Sequence, residues 1–251
     1  MIFEIMTIFP GMFSSPLEES IVGKARERGL IHLRLHNIRD WTTDKHQMTD
    51  DRPFGGGEGM VMKPEPIAGA LRAIRDQGAP ARVVLLTPQG RLFNQEIALE
   101  LSRLPRLILI CGRYEGVDER IAEHFTDDQI SIGDYVLTGG ELAAMVLVDA
   151  VTRLIPGTLG NADSAAADSF SESVLEYPQY TRPQDFEGMT VPGTLLSGNH
   201  ESIRRWRRGQ ALLRTMLRRP DLFARLRLTP EDVTLLEAAR KEDSGIKGLR
   251  D

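Results

Sequence analysis

Cysteine and long apolar runs are both scarce in this 251-residue chain. The one cysteine, Cys111, excludes a disulfide within the chain and a cysteine-rich metal site. No stretch approaches the ~18 consecutive apolar residues that a membrane-spanning helix requires. The first ten residues include Glu4 and no basic leader, so they predict a strand and not a signal peptide. We therefore expect a cytoplasmic protein that has no membrane partner.

A surplus of basic charge is also missing. The chain has 31 lysines and arginines against 36 aspartates and glutamates, and its net charge is −5. The basic charge is nevertheless concentrated, because residues 203–228 contain nine arginines and one acid, Asp221. The acidic total argues against a general nucleic-acid coat, whereas the local basic surface indicates a directed contact with a polyanion.

Strand and helix signals alternate over the first ~155 residues, which is typical of an α/β domain with a mainly parallel sheet. Glycine, alanine, serine and aspartate dominate from 156 to 176, and helical signals follow, with Asn199 able to cap a helix through Leu217. We predict an α/β domain at 1–158, a flexible linker at 159–176 and a small all-helical domain at 177–251.

Three glycine-containing segments follow predicted strands, at 87–90 (TPQG), 111–116 (CGRYEG) and 132–140 (IGDYVLTGG). Ligands of open α/β sheets bind beyond the carboxyl ends of the strands, and glycine lets the backbone approach a ligand closely. One such segment alone could be an ordinary tight turn. Three at successive strand ends favour a single ligand cavity, in which backbone amides would read an adenine edge while Ile132 and Leu137 cover its faces.

A fourth glycine-rich segment, 51–60 (DRPFGGGEGM), superficially suggests a dinucleotide-binding fingerprint. That motif needs an apolar strand directly before the glycines and a helix directly after them. The preceding residues 45–50 are polar, and Pro64 and Pro66 delay the next helix. We interpret the segment as an exposed loop that contacts substrate; a flexible connection is the alternative.

With these segments taken together, the chain resembles the bacterial tRNA (guanine-N1)-methyltransferases of the TrmD family, in the SPOUT superfamily. The matching segments are 8–10, 51–60, 87–90, 111–120, 131–141, 155–157, 168–170, 180–183 and 196–200. The resemblance implies a SPOUT-type α/β domain with a C-terminal trefoil knot and S-adenosyl-L-methionine bound in the knot loops. It also implies an antiparallel homodimer in which each active site is shared between subunits, with the anticodon stem-loop of tRNA as the partner.

The resemblance also assigns site residues. The cofactor-binding residues it implies are Pro88, Gly112, Tyr114, Glu115, Ile132, Gly133, Asp134, Tyr135, Val136, Leu137, Gly139 and Gly140. The expected RNA-binding residues are Arg52, Gly57, Ser197, His200, Arg204, Arg207 and Arg208. No metal site is firm, although the resemblance allows a divalent cation such as magnesium at Glu115.

The implied reaction moves a methyl group onto N1 of the guanine immediately 3′ of the anticodon. This N1 carries a proton at neutral pH, so transfer needs a general base and a cation that holds the charge developing on O6. The resemblance makes Asp168 the base and Arg153 the cation. On the residues alone, Asp168 would be a solvated linker residue and Arg153 a cation complementing a helix C-terminus. An alanine run, 165–167, precedes Asp168 where relatives commonly have a more polar sequence.

The arginine-rich helix predicted at 199–217 should have Ile203, Trp206, Leu213 and Leu217 on one face, with arginines over the adjoining faces. We favour phosphate binding by these arginines over a merely solvated surface. Two other functions remain open. A related knotted enzyme could act on ribosomal RNA or on a ribose hydroxyl, and a non-catalytic RNA-binding protein would need the arginines but not the three glycine-containing segments.

Overall fold

A computed structural model describes residues 1–14, 16–159, 170 and 174–247, the last five of these as backbone only. The chain divides into two compact units, Met1–Ala162 and Asp163–Asp251. The division falls inside the segment 159–176 that the sequence assigns to a linker. Asp168, the predicted base, lies outside the described residues.

In the described part of unit 1, parallel strands form one sheet in the order β2-β1-β6-β5-β7. These strands are β1 (Ile2–Thr7), β2 (His32–Asn37), β5 (Arg82–Leu92), β6 (Arg106–Cys111) and β7 (Asp128–Ser131). Two short strands, β3 (Asp50–Asp51) and β4 (Val61–Met62), pair antiparallel beside the sheet. The predicted mainly parallel α/β fold is thereby confirmed.

Helices cover both faces of the sheet. They are α1 (Ser20–Glu27), α2 (Pro64–Arg75), α3 (Gln95–Ser102), α4 (Glu119–His124) and α5 (Glu141–Arg153), with 3-10 turns at Pro10–Phe13 and Ile38–Trp41. Helices α1, α3 and α5 pack on one face around Phe3, Ile5 and Leu109. Helices α2 and α4 pack on the other around Met6, Ile108 and Ile110. Alternate residues of the central strands therefore enter two separate cores, as the pleat of a strand requires.

The sequence prediction for 87–90 needs a correction. We expected a loop after a strand ending at Thr87, but β5 continues to Leu92. Its pairing with β7 shifts register between Leu86 and Arg91, so the four residues between them form a bulge. A Cβ on Gly90 would collide with the backbone of Gln129 and Ile130, which explains why glycine occupies the place where the bulged strand crosses its neighbour.

Unit 2 is mainly helical. Its described helices are α6 (Gly193–Leu196), α7 (His200–Arg218), α8 (Pro220–Phe223) and α9 (Pro230–Lys247). A small hairpin of β8 (Asp185–Phe186) and β9 (Met189–Thr190) is an addition that the all-helical prediction did not contain. We call α7 the arginine helix. Asn199 caps it through the N–H of Ser202 at 3.0 Å, as predicted.

The arginine helix packs closely against α9. Gly209 makes this possible, because a Cβ there would lie 2.8 Å from the carbonyl oxygen of Leu235. The core of the unit contains Leu212, Leu213, Leu236 and Ala239. On the apolar face predicted from the sequence, Leu213 is buried in this core, whereas Leu217 is 59% exposed.

Candidate active site

A cavity of about 380 Å³ lies at the bulge of β5 and at the carboxyl ends of β6 and β7. All three glycine-containing segments contribute to its wall, which is the convergence that the sequence indicated. Of the residues assigned to the cofactor, those on the wall are Pro88, Gly112, Tyr114, Glu115, Ile132, Gly133, Tyr135, Val136, Leu137, Gly139 and Gly140. Asp134 lies in the same turn but is not among the lining residues, and its contact with the cofactor stays a prediction.

Two of the segments are joined by backbone contacts. The N–H of Gly140 donates to the carbonyl of Gly112 at 2.8 Å, and Arg113 pairs with Gly139 in an antiparallel bridge. A Cβ on Gly140 would lie 2.8 Å from the Cα of Cys111, so this contact requires glycine. The backbone of 111–116 and that of 138–140 therefore form one continuous wall.

A partly buried ion pair holds this wall in place. Glu141, the first residue of α5, is fully buried and accepts a hydrogen bond from Nε of Arg113 at 2.9 Å and another from Oγ1 of Thr7 at 2.7 Å. The guanidinium of Arg113 also donates to the carbonyl of Thr138 at 3.2 Å and lies 4.5 Å from the ring centre of Phe9. We did not anticipate this pair; the available signal was a glutamate opening an otherwise apolar helix.

The glycine-rich loop 51–60 lies beside the cavity. The N–H of Glu115 donates to the carbonyl of Met60 at 3.0 Å, and the N–H of Met62 donates to the carbonyl of Gly116 at 2.9 Å. Gly59 leaves no room for a side chain next to the Glu115 carboxylate. Arg52 and Gly57 are exposed on this loop. The loop therefore continues the surface that surrounds the cavity mouth.

Tyr114 connects the cavity to the residues just before that loop. Its backbone has a φ of +60°, which is uncommon for a bulky residue. Burial, the negative charge of Asp50 and a hydrogen bond with Asp50 raise the pKa of Tyr114, and Arg39 opposes the shift. The phenol is consequently neutral at neutral pH, and Asp50 is a neighbour of Tyr114 that we did not anticipate.

Cys111 is fully buried, and burial together with the charge of Glu141 raises the pKa of its thiol well above the ordinary value. A neutral, buried thiol is a poor nucleophile. The structure therefore agrees with its interpretation as a small core residue.

Arg153, the predicted cation, does not line this cavity, and Asp168, the predicted base, lies outside the described residues. Arg153 is the last residue of α5, whereas the cavity is beside the first turn, at Gly140 and Ala143. Ten residues of helix separate Ala143 from Arg153, a rise of about 15 Å. Arg153 is thus too far along the helix to reach the cavity of its own chain.

The arginine helix neutralises part of its own charge. Arg204 makes two hydrogen bonds with Glu201, at 2.7 and 3.0 Å, and Nε of Arg208 donates to Asp232 at 2.8 Å. Arg208 therefore joins the helix to α9, and its contact with phosphate stays a prediction. Arg207 is exposed and lies over the ring of Tyr177 at 4.7 Å. Ser197 and His200 are exposed at the start of the helix.

Within the described part of the chain, no group of three histidine, cysteine, aspartate or glutamate side chains is arranged to hold a metal ion. Among the same residues, no helix combines the length and the apolar character needed to cross a membrane.

The fold and the cavity define the class first: an α/β protein with a glycine-lined ligand site at the carboxyl ends of its parallel strands. Residues 1–225 match the family described as tRNA (Guanine-1)-methyltransferase TrmD. Relatives named tRNA (guanine-N(1)-)-methyltransferase include those of Syntrophotalea carbinolica, 59% identical over 98% of this chain and 99% of the relative, and Dictyoglomus turgidum, 59% identical over 95% and 96%. That of Geobacter sulfurreducens is 55% identical over 96% and 98%. The chain belongs to the tRNA (guanine-N1)-methyltransferase family TrmD, a family of enzymes.

Proposed function

We propose that the protein transfers the methyl group of S-adenosyl-L-methionine to N1 of the guanine immediately 3′ of the anticodon in tRNA. The observation that carries this proposal is the convergence of 87–90, 111–116 and 131–140 on one cavity, in a chain of the TrmD family. Because the substrate is tRNA, we expect the reaction to take place in the cytoplasm.

The cavity fits the cofactor in size and chemistry. Its 380 Å³ falls within the roughly 300–1,000 Å³ typical of small-molecule sites. Gly112 keeps the wall open, because a Cβ there would lie 3.3 Å from the Val117 side chain. Ile132 and Leu137 supply apolar surface for an adenine ring, and backbone groups of 111–116 and 138–140 supply polar contacts. The bound cofactor supplies an electrophilic methyl group on a sulfonium.

The chain must remove the N1 proton of guanine and stabilise the charge that moves to O6. We assign the first task to Asp168 and the second to Arg153. A base on a segment that orders when tRNA binds would be assembled only with the correct substrate.

A homodimer explains how Arg153 takes part although it lies far from its own cavity. Leu142 and Val146 are 46% and 44% exposed, and Arg153, about three turns after Leu142, returns to the same face of α5. Exposed Phe9 and Met12 lie beside and within the 3-10 turn that packs against α5. Antiparallel packing of two α5 helices through this face would bring the partner subunit's Arg153 to the first turn of α5, beside the cavity. Each active site then combines two subunits.

For tRNA contact we retain Arg52 and Gly57 on the glycine-rich loop and Ser197, His200, Arg204 and Arg207 in unit 2, all of them exposed. The pairing of Arg208 with Asp232 gives that residue a structural task instead. A magnesium ion at Glu115 stays a prediction, since one exposed carboxylate supplies few of the oxygen ligands that Mg²⁺ requires. Methylation measured with and without a chelator tests it.

The proposed function is tested by calorimetry with S-adenosyl-L-methionine and by methylation of unmodified tRNA transcripts that carry guanine or adenine at the target position. We expect cofactor binding, and methylation of the guanine transcript only. Asp168→Asn should abolish turnover and leave cofactor affinity nearly unchanged. Absence of cofactor binding by the wild-type protein would refute the enzyme proposal, and joint loss of both properties in Asp168→Asn would make Asp168 structural.

A further inference from the structure

A second cavity, of about 410 Å³, lies entirely within unit 2. The segment 177–184 forms one side of it and the first half of the arginine helix forms the other. Half-buried Val191, Leu195 and Ile203 give it an apolar floor. Apart from Arg207, none of its lining residues was assigned to a site from the sequence.

Aromatic rings stand at the rim of this cavity. Tyr180 is 50% exposed, and its ring centre lies 6.4 Å from that of Trp206 at an interplanar angle of 53°. Trp206 is itself held by a hydrogen bond from Nε1 to the Glu242 carboxylate at 3.2 Å. Trp206 therefore packs against Tyr180, while half of the Tyr180 surface stays exposed to solvent. This is the arrangement of a stacking platform.

The charge around the cavity favours an anion. Arg182 and Arg207 line it, and Arg207 is already stacked on the ring of Tyr177. Among the described residues of the wall there is no carboxylate. Gln184 adds an amide group that can both donate and accept hydrogen bonds, and Gln179 adds another, whose NH2 already donates to the Glu176 carboxylate. A ligand with a flat ring, a polar edge and a neighbouring negative charge satisfies all of these features together.

We propose that this cavity, which we call the unit 2 pocket, accepts one unpaired nucleotide of the tRNA, distinct from the guanine that is methylated. The base stacks on Tyr180, its edge faces the glutamine amides, and its phosphate lies against Arg207 and Arg182. Proteins read RNA mainly through splayed, unpaired bases, which fits a pocket of this kind. The inference rests on the proposed function, because tRNA is the ligand. A proline-rich peptide also binds aromatic grooves, but the paired arginines give a nucleotide the better charge complementarity.

The first experiment measures tRNA affinity of the full-length protein by fluorescence anisotropy. Tyr180→Ala should raise Kd roughly 5- to 100-fold, the range found when base-stacking aromatics are replaced by alanine. Tyr180→Phe keeps the ring and should stay within about twofold of wild type. Phe186→Ala is the matched control, because this ring is 56% exposed in the same unit and does not line the pocket. Cofactor affinity and melting temperature should be unchanged in all three.

A second experiment identifies the nucleotide. Anticodon stem-loop RNAs that each carry one abasic position are compared on wild-type protein and Tyr180→Ala. We expect a single position whose removal weakens binding to wild type and has no further effect on the variant. Equal losses for both proteins at every position, or an unchanged Kd for Tyr180→Ala, would overturn the pocket proposal while leaving methylation intact. Tight binding of a proline-rich peptide that tRNA does not displace would overturn it in favour of a peptide site. A wild-type protein that neither binds nor methylates tRNA would refute the proposed function as well.

Discussion

At the scale of single residues, the charges buried in unit 1 act on stability. Glu4 and Arg106 are each 1% exposed, and Nε of Arg106 donates to Glu4 at 3.0 Å. His36 contacts the second carboxylate oxygen at 2.7 Å. Burial alone would raise the pKa of Glu4, but the hydrogen bonds from His36 and Arg106 outweigh it, and the pKa lies below its ordinary value. Glu4 therefore contributes stability that is present above the unfolded pKa and lost as pH falls through the folded one.

Glu4→Gln should lower the free energy of unfolding by about 3 kcal/mol at pH 7, because it leaves the charge of Arg106 buried and uncompensated. Urea unfolding measures this, with Glu201→Gln as a control; that change breaks the exposed pair with Arg204 and is expected to leave stability almost unchanged. The wild type loses this stability when Glu4 is protonated. The difference in unfolding free energy between the wild type and Glu4→Gln should therefore narrow below about pH 4. A free-energy difference that stays constant down to pH 3 would contradict the lowered pKa of Glu4.

Arg207 and Arg208 are neighbours in the sequence and should behave differently. Arg207→Gln should weaken tRNA binding and reduce the slope of log K against log salt by about one, because it removes one phosphate contact. Arg208→Gln should cost about 2 kcal/mol of stability by unpairing Asp232, and leave the salt slope almost unchanged. Salt-dependent anisotropy and urea unfolding on both variants distinguish the roles. Equal slopes for the two variants would count against the phosphate contact at Arg207.

At the scale of elements, the cofactor wall depends on the close approach of Gly140 to the strand end at Cys111. Gly140→Ala should weaken S-adenosyl-L-methionine binding at least about tenfold, because the new Cβ forces the two backbones apart and breaks the hydrogen bond to Gly112. Calorimetry measures the affinity. Gly69→Ala is the matched control, since its Cβ would meet the Trp41 side chain at an ordinary 3.6 Å inside α2. A normal affinity for Gly140→Ala would mean that this approach does not shape the site.

Local signals predicted those elements whose ends are set by neighbours in the sequence. Asn199 caps the arginine helix through the N–H of Ser202, three residues later, as predicted. Pro64 and Pro66, which we expected to delay a helix, lie instead in the first turn of α2, where proline is tolerated. The continuation of β5 through Pro88 was not predictable in the same way. It depends on pairing with β7, some 40 residues later, and a proline within a strand ordinarily indicates its end.

The same distinction applies to the candidate active site: local signals predicted some of its features, and contacts between distant residues were missed. Glycines at strand ends predicted the segments that line the cavity, because glycine is required where backbones approach each other. The pair of Arg113 with Glu141 and the contact of Tyr114 with Asp50 were missed, since each joins residues that only the folded chain brings together. The apolar face of the arginine helix is buried only in part. Helical periodicity identifies a face, but the position of α9 decides which part of it is buried.

At the scale of the whole molecule, the shared active site and the knotted path of the chain both stay predictions. No short stretch of sequence indicates either feature, because a knot depends on how the whole chain is threaded and a shared site depends on contacts with a second copy of the chain. The exposed face of α5 nevertheless gives the shared site a physical rationale. This face places an apolar surface next to Arg153, which cannot reach the cavity of its own subunit.

Mixed dimers test the shared site directly. Two inactive chains are co-expressed with different tags: Gly140→Val, which is defective in the cofactor cavity, and Asp168→Asn, which lacks the base. If each site combines the cavity of one subunit with Asp168 of the other, a mixed dimer has one site with both defects and one intact site. Random pairing makes half of the dimers mixed, so the preparation should regain about a quarter of wild-type activity.

Purifying the mixed dimer through both tags should raise this recovery to about half of wild-type activity, because every dimer then has one intact site. Each homodimer alone should remain inactive, and size-exclusion chromatography should confirm that both variants still form dimers. If the cavity and the base belonged to the same chain, no pairing of these two variants could assemble an intact site. Mixed dimers that form normally and remain inactive would therefore exclude the shared arrangement, because chains with complementary defects can regain activity only when the functional parts come from different subunits.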